Sequence, residues 1–524
     1  MRNSTLITFV FFLFASHVSS QAVVPDPCRA DFSGTLGFLS SDWMEGREAG
    51  SKGSFMAADF ILSQMLQMGL EPGAGTQASK QFFQNFGIIR YKSVKSEFAL
   101  TDQSLKALSR RYFIPDVDFV IESGPSGFQF EAPVVFAGYG INAPREGYND
   151  YGNINVNGCI VLVLDGFPGE NDTSSIGWKK FGNDAMNEFH RLESKQRNAM
   201  ENGALAMIVV SREGGKNMTE GKEVNKSIAQ SAFVKAEEAG YEDYNYALPD
   251  DPYLIPVCRP RREAVAALLK DTGLDLKEAE KRISERLVPE SLEIKGKKVY
   301  LAAEINAEPV LVRNVIGHIR GEDTTRSIVI GAHYDHLGMR YNHIYNGSDD
   351  NASGVSGMLA IAANWKRSGI RPPYNMIFAA WTAEEKGMLG SSRFMRDHPS
   401  GKQKILLNLN FDMISRSAPS DADAKVISIG FLRGTDHLKT MAVKYNGDLK
   451  KPFNLDIWET SGHGGSDYVP FAMEKIPVMS FFSGFHDDYH SPRDVYAKSD
   501  LVKMEYILIL ANKIILGFLS TNKF

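Results

Sequence analysis

The stretch "RSIVIGAHYDHLG", residues 326–338, decides how this chain is read. From Ile328 to Ala332 no polar residue interrupts the run, so a strand here is buried on both faces, as in the middle of a parallel sheet. In such sheets ligands bind just beyond the carboxyl ends of the strands. His333, Asp335 and His336 stand at that place. Hydrogen-bonded histidines at a strand end would explain a single His-x-Asp equally well, so other parts of the chain must discriminate.

A chain of 524 residues implies two or three domains. Its hydrophobic content of 43% and charged content of 23% are those of a globular protein with ample core. A net charge of -5 with a pI near 6.2 leaves no basic footprint for nucleic acid. The N-terminus reads as a secretory signal over residues 1–20, with an apolar run at 6–15 and small residues before a cut at Gln21. Near the C-terminus, "LVKMEYILILANKIILGFL" contains Lys503, Glu505, Asn512 and Lys513, and is expected to be a core helix. No membrane span is therefore expected once the signal is removed. Cys28, Cys159 and Cys258 are too few and too scattered for a disulfide scaffold or a thiolate metal site.

Along the chain, Phe55, Ala58, Phe60, Ile61, Met65 and Leu66 mark a helix with one buried face that ends at Gly69 and Pro72. Short strand-like runs follow from 82 to 121. Then "APVVFAGYGI", "GCIVLVLDG", "GALAMIVVS" and "YLIPVCRP" read as strands, with a helix before the third and a charged loop over 212–251. Residues 125–288 are expected to form an inserted domain of mixed α and β structure. It should divide an N-terminal part of the main domain, 21–124, from the larger part, 289–524. In that larger part strands alternate with helices, which implies an α/β fold with a mixed, mostly parallel sheet flanked by helices.

Several strands there end in carboxylates. "IFAAWTAEE" delivers Glu384 and Glu385, "LLNLNFDMI" delivers Asp412, "NGSDDNASG" carries Asp349 and Asp350 before a helix, and "FHDDYHSPRDV" supplies His486, Asp487, Asp488 and His490. Imidazole and carboxylate without thiolate suit zinc or a similar divalent ion, and two such ions need a bridging carboxylate. Adjacent glutamates can divide the labour: one holds metal while its neighbour takes a proton from water.

Read in order, "HYD", "DNASG", "EE", "NFD" and "YHSPRD" resemble family M28 metallopeptidases, of the subgroup with an inserted protease-associated (PA) domain. The resemblance implies a zinc-peptidase fold, two zinc or zinc-like ions and a peptide substrate. By it His333, Asp350, Glu385, Asp412 and His490 are metal ligands, with Asp350 bridging. Glu384 is the general base, Asp335 orients His333, and Tyr489 supplies a hydroxyl near the oxyanion. It leaves Asp349 off the metals, gives the "EGREAGS" segment around Arg47 a structural role, and implies a cis peptide between Asp350 and Asn351. The insert resembles a PA domain, although Cys159 stands where that pattern usually has Lys. His336 and His343 are left over: His336 is expected in a structural role, with lining the cleft as the alternative, and His343 is unassigned. His463, Ser466 and Asp467 are expected beside the substrate pocket, their parts unassigned.

The expected activity is hydrolysis near the N-terminus of a peptide by an exported aminopeptidase. Carboxypeptidases or deacylases of related fold are the nearest alternative. Those resembling family M20 insert a domain between the metal Asp and the last His, whereas only 78 residues separate Asp412 from His490 here. Glutaminyl cyclases and receptor-like relatives typically lack part of the ligand set or the base, and all six positions are filled in this chain.

Overall fold

The strand Asp323–His333 owes its unbroken apolar sequence to two cores. Ile328, Ile330 and Ala332 face one core, and Val329 faces another on the opposite side of the sheet. This is the alternation that a pleated strand imposes. The structure, a computed structural model, describes residues 24–76, 79–102, 109–182, 188–210, 244–251, 253–340, 342–398 and 404–521. The signal segment and most of the charged stretch 212–251 lie outside the described residues.

On the main sheet the order is Asn454–Thr460, Val426–Leu432, Val478–Phe482, Lys404–Phe411, Asp323–His333, Tyr374–Trp381 and Ser291–Ile319. The four from Val478–Phe482 to Tyr374–Trp381 run parallel to one another. Helices Arg29–Leu39, Lys52–Met68, Gly354–Ser368 and Leu501–Thr521 supply Leu36, Ile61, Met358, Leu508 and Ile514 to the larger core. The fold class is thus the mixed, mostly parallel α/β sheet with flanking helices that the alternation of strands and helices implied. Helix Lys52–Met68 stops where the sequence says it should, at Gly69 in the left-handed conformation, although Leu66 is exposed. Leu501–Thr521 is the expected core helix, and among the described residues no helix is long and apolar enough to cross a membrane.

A second group of parallel strands, Phe128–Ala137, Ile160–Leu164, Ala206–Val210 and Val257–Pro260, has the antiparallel strand Phe119–Glu122 at its edge. Buried clusters cover both of its faces. Two long strands join the halves: Phe83–Asp102, expected as several short pieces, is one strand of 20 residues and pairs along Ser291–Ile319. The ribbon explains why the insert is physically larger than the 125–288 interval. Phe98, Phe113 and Phe119 come from before that interval, Val299 and Leu301 from after it, and all share one core with Phe136 and Leu162. The three cysteines are free.

The helix Gly354–Ser368 presses its first residue against the end of the strand Lys404–Phe411. A Cβ on Gly354 would lie 2.5 Å from the Phe411 carbonyl oxygen and 2.4 Å from Asn351 Oδ1. Gly354→Ala is therefore expected to cost about 1–3 kcal/mol of stability, the usual scale of overpacking. Urea unfolding of the variant checks this outcome.

Candidate metal centre

The carboxyl ends of adjacent parallel strands bring the chemistry together. His333 is the last residue of its strand, and Asp412 directly follows Phe411. Glu384 and Glu385 sit in the turn after Trp381, and His490 lies in the loop after Phe482. Asp350 comes from a tight turn, Ser348–Ser353, just before the helix at Gly354, and the peptide between Asp350 and Asn351 is cis.

Two groups of side chains result, and Asp350 touches both. His333 Nε2 is 3.3 Å from Asp412 Oδ1, 3.4 Å from Asp350 Oδ1 and 3.9 Å from Glu384 Oε2. His490 Nε2 is 3.1 Å from Asp350 Oδ2 and 3.2 Å from Glu385 Oε2. His336, left to a structural role by the sequence reading, belongs with the second group: its Nδ1 donates to Glu385 Oε1 at 2.8 Å and lies 3.6 Å from Asp350 Oδ2. Its position directly after Asp335, in the same loop as His333, was the available signal. His343 by contrast is exposed in a small hairpin. Ligand atoms of His333, Glu384 and Asp412, and those of His336, Asp350 and Glu385, each gather within 4.8 Å of one another. Hard oxygens and imidazoles packed this closely, with one carboxylate facing both groups, fit a pair of zinc-like ions.

The two glutamates have opposite proton affinities. Burial, reinforced by Asp412, Asp467 and Glu385 and opposed by His333, holds the Glu384 carboxyl well above the usual range. Burial also acts to raise Glu385, but hydrogen bonds from His336 and His490 overcome it and hold that carboxyl well below. A pair of carboxyls driven apart in this way is suited to different tasks.

Asp335 differs from its expected role. Its carboxylate accepts the backbone N–H of Glu384 at 3.1 Å and that of Glu385 at 3.3 Å, so it holds the glutamate turn. Its Oδ1 is 3.9 Å from His333 Nδ1, whereas the Asp335 carbonyl oxygen is 3.2 Å away, because the chain turns back immediately after the strand. The imidazole is thus oriented chiefly by a backbone carbonyl, which leaves Nε2 facing the carboxylates. Tyr489 stacks its ring on His490 with centroids 3.8 Å apart. Burial and the surrounding carboxylates push its phenol upward, so it stays protonated.

A further layer of polar contacts was legible in the sequence only in part: Arg47, Asp349, Ser466 and Asp467 were singled out there, and Asp494 was not. Asp494 accepts the N–H groups of Asp349 and Asp350, and Asp349 accepts the N–H and hydroxyl of Ser415. His486 Nδ1 accepts the N–H of Asp488, which leaves its Nε2–H facing Asp349 Oδ2 at 3.4 Å. Asp467 is fully buried, accepts a hydrogen bond from Ser391, and is pushed up to about 7 by burial. Ser466 accepts from Asn410. Arg47 is buried beneath the site, and among the described residues no carboxylate pairs with its guanidinium. It donates instead to the carbonyls of Leu39, Tyr334, Asn346 and Gly347, and so joins the N-terminal segment to both ligand loops. Desolvation lowers it to about 10, while Asp350, Asp494, Asp335 and Glu385 oppose that fall.

An α/β sheet whose strand ends gather histidines and carboxylates into two adjoining groups defines the class of metal-dependent hydrolases. Residues 314–512 match the model of peptidase family M28, and residues 130–240 match that of the PA domain. Over these residues the chain thus carries a family M28 peptidase region and a PA-domain region. Among curated relatives it is 32% identical over 173 residues to leupeptin-inactivating enzyme 1 of Streptomyces exfoliatus, covering 33% of this chain and 36% of that protein. It is 30% identical over 176 residues to a probable leucine aminopeptidase 2 of Aspergillus fumigatus, covering 33% of each. The chain thus spans about a third of the length of the curated relatives it matches. The solved aminopeptidase from Aneurinibacillus sp. strain AM-1 shares the fold, with a TM-score of 0.52 at 17% identity over 95% of both chains.

Burial disfavours the protonated His490, but hydrogen bonds to Asp350 and Glu385 overcome it and raise the imidazole to about 10. A histidine raised from its unfolded value contributes stability in full below about 6.5 and loses it as pH rises through the folded value. The metal-stripped protein is therefore expected to lose thermal stability between pH 7 and 10, and the metal-loaded protein to lose less. Melting curves across that range, with and without chelator, read the difference. A flat profile for the stripped protein would contradict the arrangement.

Proposed function

We propose that this chain is an exported dinuclear zinc aminopeptidase that removes N-terminal residues from peptides. One observation carries the reading: Asp350 presents Oδ1 to the His333 group and Oδ2 to the His490 group, as a carboxylate shared by two cations would. We assign His333, Asp412 and Asp350 to one ion, and His490, Glu385 and Asp350 to the other. When bound, such ions supply Lewis acidity, lowering the pKa of water and polarising a carbonyl.

The chain's own residues do the rest. Glu384 accepts a proton from the attacking water and passes it to the departing amine. Asp335 fixes the turn from which Glu384 reaches the substrate. The Tyr489 hydroxyl, kept protonated on a ring stacked on His490, would donate to the developing oxyanion. The surrounding carboxylates can receive an α-ammonium group, which favours cleavage at the N-terminus. The apolar run at 6–15 supports export.

Metal analysis of protein purified without chelator is expected to give two ions per chain. A value near one would point to a cyclase-like site. Glu384→Ala should keep both ions and lower kcat by about a hundredfold or more, the scale of losing a general base. Glu385→Ala should lose metal and activity together. Near-normal turnover of a fully loaded Glu384 variant would remove it from the role of base. The polarity of cleavage is tested with free-amine aminoacyl-nitroanilides, which should be hydrolysed, and N-blocked peptides with a free C-terminus, which should not. The reverse pattern would make the enzyme a carboxypeptidase.

A further inference from the structure

Between two strands of the insert, residues 244–251 are built into the wall behind the Glu384–Glu385 turn. Asn245, Tyr246 and Ala247 add a short antiparallel strand beside Tyr91, Arg90 and Ile89. Leu248 then enters the interior with no exposed surface, in one buried cluster with Phe86, Ile88, Val312, Ala383 and Leu389. Ala383 precedes the general base, and Leu389 closes the turn through its N–H to the Ala383 carbonyl at 3.0 Å. Gly387 and Met388 donate to the carbonyl of Glu384 at 2.8 and 2.9 Å, so the whole turn rests on Ala383 and Glu384.

Charged contacts repeat this attachment at the surface. Asp250 lies 3.2 Å from Arg396 and 3.5 Å from Arg393, and Asp251 also binds Arg396. Both arginines are on the helix Leu389–Asp397, which starts where the glutamate turn ends. Lys386, the residue after Glu385, sits over the Tyr246 ring at 4.8 Å and pairs with Glu48 at 3.0 Å. Asp251 Oδ2 in turn accepts the Leu248 N–H at 2.8 Å and shapes the bend that aims Leu248 inward.

The backbone explains why such a support is needed. Ala383 has φ +56°, a left-handed conformation that a residue with a Cβ keeps only where its surroundings impose it. A turn of this kind, carrying a base whose direction matters, cannot depend on its own hydrogen bonds alone. The buried cluster that holds Ala383, with Leu248 and Leu389 in it, adds to the hold that Asp335 has on the turn, and Leu248 is the contribution of segment 244–251.

We infer that segment 244–251 couples the PA-containing insert to the catalytic turn, with Leu248 as a positioning residue for Glu384. This rests on the reading of Glu384 as the general base. A misdirected base slows the chemical step without loosening substrate binding, so the signature is a fall in kcat at constant KM. A residue serving only global stability would lower the melting temperature and leave both constants alone.

Amide hydrogen exchange on the metal-loaded full chain reads the turn without reference to activity. Leu248→Ala should speed exchange at Gly387, Met388 and Leu389 by about tenfold or more, as expected for a local opening. The far strands Val426–Leu432 and Asn454–Thr460 should stay at wild-type rates. With an aminoacyl-nitroanilide the same variant should lose about tenfold to a hundredfold in kcat, with KM nearly unchanged and both metals kept. Leu248→Ile should restore kcat and exchange together. Unchanged exchange at the three amides, or a rise spread evenly along the chain, overturns the inference. A wild type that hydrolyses no aminoacyl amide would sink the proposed function, while the exchange data would still decide the coupling. Should Leu248→Ala not fold, the surface double variant Asp250→Asn with Asp251→Asn must show the same localised rise in smaller measure, and wild-type exchange there overturns the inference equally.

Discussion

Burying many carboxylates at one end of a sheet is the constraint around which this molecule is arranged. Asp335, Asp349, Asp350, Asp467 and Asp494 are all buried, beside the partly buried Glu384, Glu385 and Asp412. Two unit charges 4 Å apart repel by about 4 kcal/mol at an effective dielectric constant of 20, so such a cluster survives only if every member is compensated. Three devices do this. Backbone N–H groups meet Asp335 and Asp494. Imidazoles meet Asp350 and Glu385. Among the described residues the Arg47 guanidinium binds carbonyls alone, which leaves its positive charge available to the whole cluster. Divalent cations would complete the balance.

The same hydrogen bonds that neutralise the acids also fix the geometry. Asp494 holds the backbone from which Asp350 projects, and Asp335 holds the backbone of the glutamate pair. The divergence between Glu384 and Glu385 follows from this. Both are buried in the same turn, but only Glu385 has two histidines as partners, so neighbours one residue apart acquire opposite tendencies to hold a proton.

The regions that match the M28 peptidase and PA-domain models correspond to the two groups of strands. Their union is a matter of physical continuity more than of docking. Phe83–Asp102 and Ser291–Ile319 run through both halves, and the segment around Leu248 comes back to pack against the peptidase layer. The insert cannot be treated as an appendage on a flexible linker, because its core and the wall of the catalytic turn share strands.

The α/β class, the central strand at Ile328, the terminal core helix and the residues gathered at the sheet edge were legible in the sequence. Each is announced by a local signal: an unbroken apolar run, a helical period, a carboxylate or histidine at a strand end. His336, Arg47, Asp494, His486 and Leu248 were not assigned these roles, although several stand within a few residues of recognised motifs. An imidazole in a polar loop, an arginine in a Gly-rich turn and a leucine after a charged stretch look alike in sequence whether they face solvent or a metal centre. What they do depends on partners 49 residues away for His336 and Glu385, and 300 away for Arg47 and Gly347. The type of each element was set by neighbours in sequence. The task of each buried polar group, and the extent of the insert, were decided only when the tertiary structure brought distant charges and strands together.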